Sequence, residues 1–272
     1  LKVFLDYDQA GLDAQYEQRA WVPHADAIIA RCNAASEAIR MRLGEPLTFS
    51  YGPTAPETLD LYRPAGRERT PLVAFVHGGA WKRQSKRGQM FPAETFLAAG
   101  AAYAALDFAL LPAVTLPEMV GQVCRALEWL RERLEPPKLV VCAHSSGAHL
   151  AACALTRIGA VDEALLVSGV YDLLPVRLSA RNDYVRLDER LEHEFSPIRH
   201  AGRITCPVTV AWSEKESAEF ARQSREFADR LRAPTLVGAG LNHFEILETL
   251  ADRDSPLARA ATAMVRAPSK EC

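Results

Sequence analysis

The chain has 272 residues, of which 49% are apolar and 24% charged, and its formal net charge is −2. That length suits one large α/β domain (1–272) better than two small ones. The absence of any Lys/Arg run argues against nucleic acid as a partner. No stretch approaches the roughly 18 uninterrupted apolar residues of a membrane span, and the opening Leu-Lys-Val-Phe-Leu-Asp-Tyr-Asp turns acidic too early for a signal peptide. The expectation is a cytoplasmic protein with no membrane partner.

Residues 1–46 read as an N-terminal extension whose main feature is a helix over Ala25–Leu43, a lid or entrance helix with Ile28, Ile29, Cys32, Ile39 and Leu43 as its apolar contacts. From residue 47 onward, short β-rich runs alternate with longer helical patterns. Strands are predicted at Leu47–Tyr51, Thr58–Tyr62, Leu72–Val76, Ala102–Asp107, Leu139–Ala143, Ala164–Val167, Val208–Trp212 and Leu236–Val237. Thr58 to Tyr62 alternates polar and apolar, as a strand near a sheet edge does. Leu72–Val76 and Leu139–Ala143 are apolar throughout, which fits strands covered by helices on both faces of a mostly parallel sheet.

Between the later strands, Val120, Val123, Leu127, Leu130 and Leu134 recur at helical spacing. Pro117 suits the first turn of that helix, and Pro136-Pro137 end it. Further helices are predicted from Ser146 to about Arg157, over Ala218–Leu231, and after Phe244 to the end of the chain. Six cysteines (Cys32, Cys124, Cys142, Cys153, Cys206 and Cys272) form no CxxC pair and read as reduced hydrophobes. Seven histidines include no HxH or HxxxH pair, so neither a metal nor any other cofactor is expected.

Three segments carry chemistry. His77-Gly78-Gly79-Ala80-Trp81 follows a buried strand, and its glycines let backbone N–H groups approach a developing oxyanion. Ala143-His144-Ser145-Ser146-Gly147 lies between a buried strand and a helix, the setting of an exposed nucleophile on a sharp turn. Ser145 is central in it, and Ser146 offers a second N–H to the oxyanion hole. Leu241-Asn242-His243-Phe244-Glu245 follows the last strand and supplies a histidine, the base suited to a serine hydroxyl at neutral pH. The acid should follow the strand Val208–Trp212. Glu216 is preferred because it stands at the strand-to-helix junction; Glu214 is the rival, and Glu219 is expected to face solvent. Trp81, Tyr16, Tyr171 and Phe244 are the candidates for the substrate pocket, and Phe220 and Phe227 are expected to pack on the sheet.

Oxyanion turn, nucleophile, acid and histidine occur in the chain order of an α/β-hydrolase. The same segments, with Glu216-Ser217-Ala218-Glu219-Phe220-Ala221-Arg222-Gln223-Ser224, Ser168-Gly169-Val170-Tyr171-Asp172-Leu173 and the N-terminal residues Gly11 to Ala20, resemble the α/β-hydrolase type of kynurenine formamidase. The resemblance implies hydrolysis of N-formyl-L-kynurenine to L-kynurenine and formate, with Ser145 as nucleophile, His243 as base, Glu216 as acid, and Gly78, Gly79 and Ser146 lining the oxyanion hole. The sequence departs from that pattern at Ala143, where glycine is usual, and at Glu216, where aspartate is more common. A carboxylesterase for short-chain esters and a non-catalytic ligand-binding relative are the alternatives. The partner expected is a small aromatic formamide or ester, and the oligomeric state is left open, a homodimer included.

Overall fold

The uniformly apolar runs form the middle of an eight-stranded sheet. The computed structural model describes residues 1–67 and 69–266, so Cys272 lies outside the described residues. The strands are β1 (Leu47–Ser50), β2 (Thr58–Tyr62), β3 (Leu72–Val76), β4 (Ala102–Leu106), β5 (Leu139–His144), β6 (Glu163–Val167), β7 (Val208–Lys215) and β8 (Thr235–Asn242). Their order across the sheet is β1-β2-β4-β3-β5-β6-β7-β8. β1 and β2 pair antiparallel, as do β2 and β4, and the remaining pairs are parallel.

Helices cover both faces. The α-helices in chain order are α1 (Gln9–Tyr16), α2 (Gln18–Trp21), α3 (Ala25–Leu43), α4 (Ala93–Ala98), α5 (Leu116–Leu134), α6 (Ser146–Leu155), α7 (Leu174–Leu178), α8 (Asn182–Val185), α9 (Glu189–Glu194), α10 (Ala218–Leu231), α11 (Glu245–Glu248) and α12 (Pro256–Arg266). Alternation along each central strand divides the core in two. Leu72, Ala74 and Val76 of β3 face a cluster with Val120, Val123 and Leu127 of α5 and Phe227 of α10. Val73 and Phe75 face a second cluster with Phe96 of α4 and Leu257, Ala261 and Met264 of α12. α5 begins with a capping box, in which Thr115 and Glu118 satisfy each other's backbone N–H groups, and has proline in its first turn. Among the described residues no helix is long and apolar enough to cross a membrane, and the five described cysteines form no disulfide.

Two readings of the C-terminal half change. β7 and β8 run well past Val208–Trp212 and Leu236–Val237, because polar residues continue the pairing as far as Lys215↔Asn242, beyond a register shift at Ser213/Lys215. The single last helix divides into α11, a 3₁₀ turn at Thr249–Ala251, and α12, the interruption falling before Pro256.

Candidate active site

The nucleophile turn is built by backbone strain. Ser145 joins β5 to α6 at φ 55°, ψ −127°, a conformation that costs an L-residue about 1–3 kcal/mol and persists only where the surroundings enforce it. Its N–H donates to the Val167 carbonyl of β6 at 2.9 Å. Close approach explains the small neighbours: a Cβ on Gly147 would stand 2.2 Å from the Val76 carbonyl oxygen, and one on Gly78 would stand 2.9 Å from the Ser145 Cβ. Ala143, in place of the usual glycine, is fully buried in β5.

Ser145 Oγ lies 3.0 Å from His243 Nε2, and His243 Nδ1–H donates to Glu216 Oε2 at 2.8 Å. The other oxygen of Glu216 accepts from the Ser213 N–H at 3.1 Å and the Ser168 hydroxyl at 3.3 Å. The irregular pairing at Ser213 and Lys215 lets the longer glutamate turn back over the strand end. Glu214, the rival acid, is exposed and accepts the Gly240 N–H at 2.6 Å. Burial raises the Glu216 carboxyl above its ordinary range. Burial, and next the charge of Arg181, lower the His243 imidazole. Three donors on Glu216 oppose its burial penalty and favour a carboxylate facing a neutral imidazole.

His144 braces the histidine loop. Its Nε2–H donates to the His243 carbonyl at 2.8 Å, which ties the histidine loop to the nucleophile strand. Phe220 meets the His243 ring edge-on at 4.9 Å, so it props the histidine as well as joining the core cluster against the sheet.

In the turn after β3, Gly79, Ala80 and Trp81 all have positive φ (110°, 54° and 60°). The Trp81 N–H donates to Ser146 Oγ at 3.1 Å, joining the two segments that carry the expected oxyanion donors. The Gly79 and Ser146 N–H groups make no hydrogen bond to protein among the described residues. Gly78, Gly79 and Ser145 line a cavity of about 640 Å³, a size common for small-molecule sites.

Its walls come from the extension and from the excursion between β6 and β7. Tyr16, Gln18, Ile28, Arg181, Tyr184 and Phe244 are among the lining residues. Tyr16 and Phe244 thus line the cavity. Trp81 and Tyr171 do not. The Trp81 indole points inward, donating to His149 Nδ1 at 3.2 Å, and Tyr171 stacks on Phe227 with ring centroids 4.1 Å apart. Both are buried away from the cavity by these partners. Glu219 is also buried, 1% exposed and paired with Arg222 at 2.8 Å, because α10 turns this residue toward Tyr16. Gln223 completes that contact, donating to the Tyr16 hydroxyl and accepting the Tyr171 and Asp172 N–H groups. Arg181, Tyr184 and Lys82 are not marked by the sequence; Arg181 precedes and Tyr184 lies in the four-residue α8, too short for an apolar period.

The sheet order and the serine–histidine–glutamate relay define an α/β-hydrolase enzyme. Comparisons with known proteins agree: the BD-FAE family model matches residues 59–164, and a kynurenine formamidase of Danio rerio is 29% identical over 93% of this chain and 95% of its own. A kynurenine formamidase of Drosophila melanogaster is 30% identical over 70% of this chain and 72% of its own. The chain belongs to the kynurenine formamidase family. A solved structure described as a thioesterase from Silicibacter sp. TM1040 is 27% identical, with a TM-score of 0.84 over 94% of this chain and 99% of that one. An esterase of Pyrobaculum calidifontis shares the fold at 18% identity and a TM-score of 0.71, over 92% of this chain and 97% of that one.

Proposed function

We propose that this enzyme hydrolyses N-formyl-L-kynurenine to L-kynurenine and formate through a Ser145–His243–Glu216 triad. The observation that carries the reading is the hydrogen-bonded relay from Ser145 Oγ to Glu216, opening into a cavity of about 640 Å³. Kinship with formamidases along most of the chain narrows the substrate from acyl compounds in general to an aryl formamide.

His243 Nε2 takes the Ser145 proton as Oγ bonds to the formyl carbon, and the carbonyl electron pair moves onto oxygen. The N–H groups of Gly79 and Ser146, beside Gly78, receive that oxyanion, aided by the N-terminal end of α6. Collapse breaks the C–N bond, and His243 gives its proton to the departing aryl amine. Water then attacks the formyl-serine with the same histidine as base, releasing formate and restoring the hydroxyl. Glu216 holds the tautomer with Nε2 unprotonated and stabilises the transient imidazolium.

Turnover of N-formyl-L-kynurenine beside p-nitrophenyl acetate tests the substrate. A kcat/KM at least about a hundredfold higher for the formamide is expected, roughly 2.7 kcal/mol of transition-state preference; turnover of the ester alone makes the enzyme a carboxylesterase. The pH profile tests the base. Only unprotonated His243 accepts the serine proton, and burial lowers its pKa. The acid limb of kcat/KM is therefore expected below the ordinary imidazole value of about 6.5. A limb at or above that value removes His243, as placed here, from the role.

A further inference from the structure

We propose that Arg181 is an anion-recognising residue of this site, selecting substrates whose leaving group carries a carboxylate over neutral substrates of the same shape. The inference rests on the acyl-hydrolase reading of Ser145 and adds a charge requirement to it.

Arg181 lines the same cavity as Ser145 and His243. Its guanidinium is held in place, donating from Nη2 to the Tyr16 carbonyl and lying 5.7 Å from the Tyr16 ring and 5.8 Å from the Trp81 ring. A guanidinium has five N–H donors in a fixed fork that matches a carboxylate. The Nη2 contact to Tyr16 is the one hydrogen bond of the Arg181 guanidinium among the described residues, and no carboxylate lies within 4.0 Å of it there.

Three acids, Asp13, Glu17 and Asp183, also line the cavity, none within 4.0 Å of the Arg181 guanidinium among the described residues. Asp13 accepts the Ala180 N–H at 2.7 Å and a Gln9 amide N–H at 3.0 Å, and Glu17 caps the Arg19 N–H. Two more cations, Lys82 and Arg83, line the cavity and form no ion pair among the described residues. Lys82 instead places its ammonium 3.8 Å from the centre of the Tyr184 ring. Burial, and then Arg83 and Arg181, lower the Lys82 pKa against the opposing charge of Glu17. Cations thus outnumber acids on the lining by four (Arg19, Lys82, Arg83 and Arg181) to three, and Arg181 keeps its donor fork open.

The test compares N-formyl-L-kynurenine with its carboxamide, and the aryl acetate bearing the same side chain with its own carboxamide. In each pair only the carboxylate charge differs. The enzyme is expected to favour the acid by about tenfold to a hundredfold in kcat/KM, mostly through KM, the range of a charge-assisted hydrogen bond. Arg181→Ala is expected to bring both ratios close to one, and Arg181→Lys to keep part of them. Each ratio is read within one variant, so a general loss of activity cancels. A strut that merely positions Tyr16 would, when removed, slow both members of a pair equally; an unchanged ratio in Arg181→Ala overturns the proposal, as does an enzyme that shows no preference in the first place. Should only the acetates turn over, the formamidase reading falls, and the acetate pair still reports on Arg181.

Discussion

Replacement of Ser145 by alanine is expected to lower kcat for formamide and ester alike by about 10⁴- to 10⁶-fold, the loss seen when a serine nucleophile is removed from such a relay. The reasoning is geometric. Ser145 Oγ is the only hydroxyl that His243 Nε2 engages among the described residues. Ser146 cannot substitute for it, because its hydroxyl accepts the Trp81 N–H and belongs to α6. Alanine keeps the Cβ and the strained turn, so thermal unfolding should shift by no more than the loss of one hydrogen bond, about 1 kcal/mol. Labelling by a fluorophosphonate should vanish in the same variant. Retained labelling, or a kcat within tenfold of the parent at an unchanged Tm, would move the nucleophile elsewhere.

Glu216→Gln is expected to cost about 10³- to 10⁴-fold in kcat while Glu214→Gln stays within about threefold. A glutamine amide can donate to Nδ1, which places the imidazole proton on Nε2 and turns the base toward Ser145 the wrong way round. Glu216 is buried with its two oxygens on His243, Ser213 and Ser168. Glu214 is exposed at the strand end and touches the Gly240 backbone. Steady-state kinetics of the two variants side by side decides between them: the reverse ranking would assign the acid to Glu214.

Much of this arrangement could be read from residues alone. The central strands announce themselves because they must be apolar on both faces, as Leu72–Val76 and Leu139–Ala143 are. The nucleophile and histidine turns are legible because each is a short polar motif at the end of such a strand. Side-chain direction was harder to read. Trp81 and Tyr171 are aromatic residues beside functional loops, yet each finds a partner behind the wall (His149 and Phe227), and only the packed structure decides which way they point. Glu219 looks like a surface acid until Arg222 and Tyr16 are placed beside it. The excursion 174–203 was unreadable for another reason. Its helices α7, α8 and α9 have five, four and six residues, too few turns to establish a period.

The roof over Ser145 comes from two stretches far apart in the gene product. Gln9 reaches the Leu178 carbonyl, Asp13 the Ala180 N–H, and Arg181 the Tyr16 carbonyl. The relay itself hangs from strand ends and would be no different under another roof. Selection can therefore rewrite substrate choice in residues 9–33 and 180–184 while leaving the sheet, the elbow and the histidine loop under separate constraint.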